Sequence, residues 1–272
     1  MNEPRQTGHI VSIIALFLGI MAMTVVGFSV DWAPPVASVH GQGVDAVMDY
    51  LLLTTGTILV IASLILVAFL WYYGRGKQPA SHRISARTER WWTLVPVLGM
   101  ALIAEAGVLL KGLPVWEQVY GHIPEDALVV DITAKQFEWL ARYPGADGEF
   151  GSVQPSLVDG QTNPAGLDRS GSGADDIVLR NVMHIPVGRP VHVRLRSLDV
   201  LHSFSIPAFR VKQDIVPGTV GRTLFTPTRA GSYELACAEL CGMGHYRMDG
   251  RIVVHSPEEY EAWLAEQTAK VQ

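Results

Sequence analysis

Three long apolar stretches open the chain: Ile10–Val30, Tyr50–Gly74 and Trp91–Leu110. The first two carry no charged side chain, and the third is broken by one ionisable residue, Glu105. Crossing a hydrocarbon core of about 30 Å takes about 20 helical residues, so each stretch is long enough to span a membrane. The first has a second reading. Arg5 followed by an apolar run is also the layout of a signal peptide, although 21 residues exceed the usual apolar core of about 7–15. From Ala127 the period changes from helical to two. In Pro190–Leu198, Val191, Val193 and Leu195 alternate with His192, Arg194 and Arg196, which marks a strand with one face buried. Val129–Trp139, Ile177–Met183, Thr219–Phe225, Ser232–Ala236 and Arg251–Val254 read as further short strands between Gly/Pro turns. Tyr143–Asp176 is rich in Gly, Pro, Asp and Ser and reads as a long surface loop. A closing helix is announced by Ser256-Pro257-Glu258-Glu259, a capping box with proline at the first helical position.

The pattern predicts a membrane-anchored all-β protein. Residues 1–48 form an extra N-terminal transmembrane helix or signal with an outer loop. Residues 49–114 form a helical hairpin, and 115–272 an exported β-sandwich or barrel. Composition agrees: charged residues are 17% of the chain, against about 25% in soluble domains. A net charge of −5 speaks against a nucleic-acid binder. Charge also sets orientation. The 75–90 loop carries Arg75, Lys77, Arg83, Arg87 and Arg90 against Glu89 alone, whereas 31–49 has no Lys or Arg. Positive-inside reasoning puts the basic loop in the cytoplasm and the β-domain outside.

Candidate chemistry is concentrated in Cys237-Ala-Glu-Leu-Cys241-Gly-Met-Gly-His245-Tyr-Arg-Met248, with His202 upstream. These are the only two cysteines, which excludes a four-cysteine zinc site and a disulfide-dense scaffold. Two thiols, two imidazoles and a thioether form a soft to borderline donor set that suits copper. One Cys, two His and one Met would hold a single copper, and a second Cys allows two bridging thiolates and two coppers. The competing reading is a Cys237–Cys241 disulfide in a structural β-domain, which leaves His202, His245 and Met248 without a reason.

Asp199-Val-Leu-His202-Ser-Phe-Ser-Ile-Pro207, Val211-Lys-Gln-Asp214-Ile-Val-Pro217-Gly218 and the Cys-x-Glu-x-Cys-x3-His-x2-Met run closely resemble subunit II of haem-copper cytochrome c oxidases. The hairpin joins in, since Glu89-Arg-Trp-Trp-Thr-Leu-Val-Pro96 is similar to the start of that family's second helix. The resemblance implies a cupredoxin-like β-domain holding the dinuclear CuA centre. Cys237 and Cys241 would bridge two coppers, and His202 and His245 would bind one each. Met248 would be a weak ligand to one copper, and the Glu239 backbone carbonyl a ligand to the other. The Glu239 side chain would reach a magnesium shared with subunit I.

The same resemblance implies an electron-transfer subunit of a proton-translocating oxidase in a bacterial-type plasma membrane, partnered by subunit I and other oxidase subunits. Cytochrome c, or a cytochrome of a partner complex, would be the donor. Oxygen would be reduced on subunit I. Phe137 stands at the position of the family's electron-entry tryptophan, and Trp139 is retained. Arg142 stands where an acid that docks the donor is common, which points away from a basic soluble donor. Glu89 matches the glutamate at the mouth of a proton-uptake pathway, while Glu105 has no counterpart. A nitric oxide reductase subunit with the same copper centre is the rival within the superfamily.

Overall fold

A computed structural model of the chain describes residues 3–30, 32–74 and 84–271. The chain forms two compact units, one of residues 1–32 and 45–113, the other of residues 33–44 and 114–272. In the first, helix α1 (Glu3–Phe28), most of α2 (Val39–Tyr73), α3 (Ala86–Met100) and the start of α4 (Ala106–Tyr120) supply three helices long and apolar enough to cross a membrane. The Ser85 side chain caps α3 by accepting from the Thr88 amide at 3.1 Å, so the apolar run begins one turn after a polar start. A π-helical turn, Ala101–Glu105, joins α3 to α4. The Tyr50 hydroxyl of α2 donates to the Ile103 carbonyl within that turn. Of the basic loop, residues 75–83 lie outside the described residues.

The second unit is a β-sandwich. One sheet has the order β3-β2-β1-β5-β8, from β1 (Leu128–Lys135), β2 (Glu138–Tyr143), β3 (Ile177–Arg180), β5 (Val191–Ser197) and β8 (Gly221–Phe225). The other has the order β4-β10-β9-β6-β7, from β4 (Val182–Pro186), β6 (His202–Ile206), β7 (Val211–Ile215), β9 (Gly231–Cys237) and β10 (Asp249–His255). Both sheets contain one parallel pair, β1 with β5 and β4 with β10. The alternation predicted for β5 appears as burial: Val191, Val193 and Leu195 are inaccessible and lie beside their register partners Leu128, Val130 and Ile132 of β1 on the core face of the sheet.

Two predicted strands are each two. The expected 129–139 strand turns back at Gln136–Phe137 into β1 and β2, and 177–183 breaks at Asn181. Asn181 adopts a left-handed backbone (φ 58°), which asparagine tolerates better than most residues. Its side-chain oxygen accepts from the Trp139 amide at 2.8 Å while its own amide donates to the Trp139 carbonyl at 2.7 Å.

Residues 144–176 are a cover rather than an outlying loop. On the outer face of the first sheet, Leu140 and Arg142 are buried although Trp139, Ala141 and Tyr143 already fill the inner face. Arg142 donates to the Gly151 carbonyl at 2.7 Å, and the Phe150 ring lies 4.8 Å from the Arg142 guanidinium and 4.5 Å from that of Arg194. A second element is equally unforeseen. Residues 33–44 form a strap along the β-unit, with Ala37 N to Ala208 O at 2.7 Å, Thr228 N to Ala37 O at 2.9 Å and Val39 N to Thr226 O at 3.0 Å. The closing helix α5 (Pro257–Val271) has its predicted box: Ser256 Oγ accepts from Glu259 N, and Glu259 accepts from Ser256 N.

Candidate metal centre

Cys237 ends β9, and Cys241, His245 and Met248 lie in the loop that leads to β10. Strands β6 and β9 pair Phe204 with Cys237, so His202, two residues earlier on the same face of β6, lies beside the start of that loop. The result is a buried cluster in which His202, Cys237 and Cys241 offer ligand atoms within 4.8 Å of one another. The sulfurs are 3.9 Å apart and unbonded. Around Cys237 Sγ stand His202 Nδ1 at 3.9 Å and the Glu239 carbonyl at 3.2 Å. Around Cys241 Sγ stand His245 Nδ1 and Met248 Sδ, each at 3.7 Å. Every copper ligand named from the sequence is therefore in one place, one imidazole to each thiol. A metal about 2.3 Å from each sulfur, the zinc–thiolate length, would see them at about 115°, so the spacing fits shared thiolate ligation. Burial and the neighbouring Cys237 push the Cys241 thiol up to about 11; a cation is what would make its thiolate favourable there.

Asp199 is the residue that sequence reasoning passed over. Its carboxylate stands 2.8 Å from His202 Nε2, and its other oxygen accepts from the Gln136 amide at 2.7 Å. Burial works against the charge, yet the Gln136 and Val200 amides and His202 hold Asp199 below the usual carboxylate range. An ionised Asp199 keeps the ring proton on Nε2 and turns Nδ1 towards Cys237. The signal was legible, since an acid three residues before a ligand histidine is the spacing at which it can orient the ring.

The β1–β2 turn braces the ligand loop from the other side. Gln136 Nε2 donates to the Cys241 carbonyl at 2.6 Å. Phe137, half-buried, packs against Gly244, where a Cβ would stand 2.5 Å from its ring. Trp139 is buried beneath the site; its indole N–H approaches the Met248 carbonyl at 3.4 Å, and its ring centroid is 6.4 Å from that of His202.

Arg142 corrects a sequence-based expectation. It is no part of a docking surface, because it is buried and paired with Asp131 at 2.5 Å and Asp176 at 2.9 Å. Glu89 and Glu105 belong to the helical unit and are exposed there, in the first turn of α3 and in the π-helical turn. On this chain a magnesium site would rest on the Glu239 carboxylate alone, which lies within electrostatic reach of Lys212.

Two family models match the chain: cytochrome c oxidase subunit II, periplasmic domain, over residues 129–256, and cytochrome c oxidase subunit II, transmembrane domain, over residues 32–108. The alternative cytochrome c oxidase subunit 2 of Bradyrhizobium diazoefficiens is 36% identical over 261 residues, 94% of this chain and 91% of that protein. The chain belongs to the cytochrome c oxidase subunit II family. Cytochrome c oxidase subunit 2 of Cereibacter sphaeroides is 30% identical over 249 residues, 88% of this chain and 78% of that protein. Among solved structures, the periplasmic domain of subunit II of a Bradyrhizobium japonicum cytochrome oxidase is 29% identical and covers 56% of this chain and 100% of its own, with a TM-score of 0.41. As a subunit II, the chain is one component of an oxidoreductase complex, and its three apolar helices precede the family's cupredoxin-like β-domain.

Proposed function

We propose that the β-unit holds the dinuclear CuA centre and that the chain accepts electrons from cytochrome c, or an equivalent donor, for delivery to haem a of subunit I. The observation that carries this reading is the paired arrangement of donors, with one histidine and one weaker ligand beside each of two free thiols. Cys237 and Cys241 would hold both coppers, His202 and His245 would bind one each, and Met248 would be a weak ligand to one copper and the Glu239 carbonyl a ligand to the other. Bound there, a copper pair supplies a one-electron carrier whose charge is spread over two metals, so that little moves on reduction.

The protein's own contribution is rigidity. Asp199 fixes the tautomer of His202, Gln136 clamps the Cys241 carbonyl, and the buried sulfurs are kept from bulk water. Phe137 packs against the metal loop at Gly244 and Trp139 lies beneath it beside His202, which supports a part in electron entry. Leu240, Met243 and Tyr246, all strongly exposed on that loop, offer the donor an apolar contact. The three helices anchor the chain in a bacterial plasma membrane with the β-unit on the outer side, and Glu89, by its place in the family motif, would stand at a proton-uptake mouth. Oxygen reduction and the remaining metals would belong to subunit I.

Metal analysis of the full chain should find two coppers, and the oxidised protein should show one unpaired electron shared evenly between them. A single copper, or a localised signal, would defeat the reading. The haem content of the purified complex separates an oxidase from a nitric oxide reductase.

A further inference from the structure

A cleft of about 290 Å³ lies away from the cysteines, between the first sheet and its cover. The sheet supplies Thr133 and Arg196, the cover supplies Gln154, and Val220 closes one side. The charge pattern of the two parallel strands explains its character. On their outer face Asp131 is the register partner of Arg194, and the two form an ion pair. Two residues further along, Thr133 is the register partner of Arg196. The acid of the first rung is thus a threonine in the second, and the place where a carboxylate would sit is open.

Among the described residues Arg196 accordingly has no partner. Its Nε–H is buried with no acceptor, and no residue lining the cleft is acidic. A guanidinium with an unsatisfied donor in the wall of a cleft, beside Thr133, selects for an anion; the Gln154 amide on the opposite wall is held by Asp168 at 3.4 Å. A guanidinium meets a planar or tetrahedral oxyanion through two parallel N–H bonds. The volume falls below the about 300 Å³ at which pockets for drug-sized ligands begin, which excludes a nucleotide and suits a molecule of a few carbons. We propose that this cleft binds a small oxyanion, a free carboxylate or phosphate, through Arg196. The site is distinct from the metal centre and does not depend on the copper reading.

The test uses the full-length chain in detergent, titrated with inorganic phosphate and with succinate at constant ionic strength set by chloride, and followed by calorimetry. At least one of the two anions should bind saturably. Arg196→Gln should weaken that binding by at least about tenfold, the loss expected when a charge-assisted pair is removed. Arg196→Lys, which keeps the charge but not the fork, should lose less, and it serves if the glutamine variant fails to fold. Val220→Trp, which narrows the cleft without altering charge, should weaken binding as much as the loss of the guanidinium does. Arg251→Gln, at an exposed arginine outside the cleft, should leave binding unchanged. Failure of both anions to saturate, binding by Arg196→Gln equal to that of the unaltered chain, or an equal loss in Arg251→Gln would overturn the proposal. Weakening by Arg196→Gln with no effect of Val220→Trp would move the anion to the outer surface and overturn it as well.

Discussion

Three acids, Asp199 at the surface and Asp131 and Asp176 inside, show how much hangs on single side chains. Asp199 touches no metal-facing atom itself but holds His202 and the Gln136 backbone, so Asp199→Asn should keep the fold while lowering copper affinity by about 10–100-fold, the usual effect of losing a ligand's outer partner. A competition titration against a copper chelator, with circular dichroism as the control for folding, measures it. Asp131 and Asp176 both pair with Arg142, and Asp131 also pairs with Arg194. Arg142→Gln should therefore cost about 3–5 kcal/mol in denaturant unfolding, because the buried Asp176 loses its cation and Asp131 keeps only Arg194. The same arginine shows where sequence reasoning ran short. Its alignment with a docking acid was visible in the chain, but its burial depends on residues 144–176 folding back over it, and nothing local in Ala141-Arg142-Tyr143 records that. The residues proposed to hold copper could be picked out for the opposite reason. Five of the six lie within twelve residues, Cys237 to Met248, and soft donors in such company suit a metal.

Among the elements, β5 and the capping box of α5 followed directly from local pattern, because strand alternation and helix capping are decided by neighbours a few residues away. The strap and the cover were hidden because their partners are remote. Ala37 bonds to Ala208 and Thr228, and Ser38 Oγ donates to the Phe209 carbonyl at 2.7 Å. A fragment of residues 115–272 lacks those bonds. It should unfold at lower denaturant than the same fragment supplied with residues 33–44 through a short linker, by on the order of 1–3 kcal/mol for several lost backbone pairs. Helix α5 carries a pH dependence. His184 Nδ1 and His255 Nε2 are 2.7 Å apart, and both rings stack with Trp263 of α5. Burial first, and then the neighbouring His255, lower His184 to about 4. A histidine whose folded value lies below its unfolded one of about 6.5 stabilises the fold above that value and less as pH falls towards the folded value. Protection factors across residues 257–271, each taken relative to the intrinsic exchange rate at its own pH, should fall as pH drops from about 6.5 to 4, and His184→Phe, which keeps an aromatic ring, should flatten that response.

For the whole molecule, charge placement bears on how a donor is met. Glu138 is paired with Lys135 and Arg180, and Asp214 with Lys212, while the residues most exposed on the metal loop are Leu240, Met243 and Tyr246. Steering by an acidic face weakens steeply with salt; an apolar contact does not. Donor oxidation by the assembled complex should change by less than about threefold between 50 and 200 mM salt, and a steep fall would place the docking face elsewhere. The parallel pairs have a consequence in time. Strand β4 must wait for β10, which lies beyond every cysteine and histidine of the cluster, and contacts so distant along the chain are slow to close. A chain emerging from its N-terminus would present Met248, the last of the proposed copper ligands, just before the strand that locks the loop. If the copper reading holds, a chain stopped before residue 255 should bind the metal more weakly than one that completes β10.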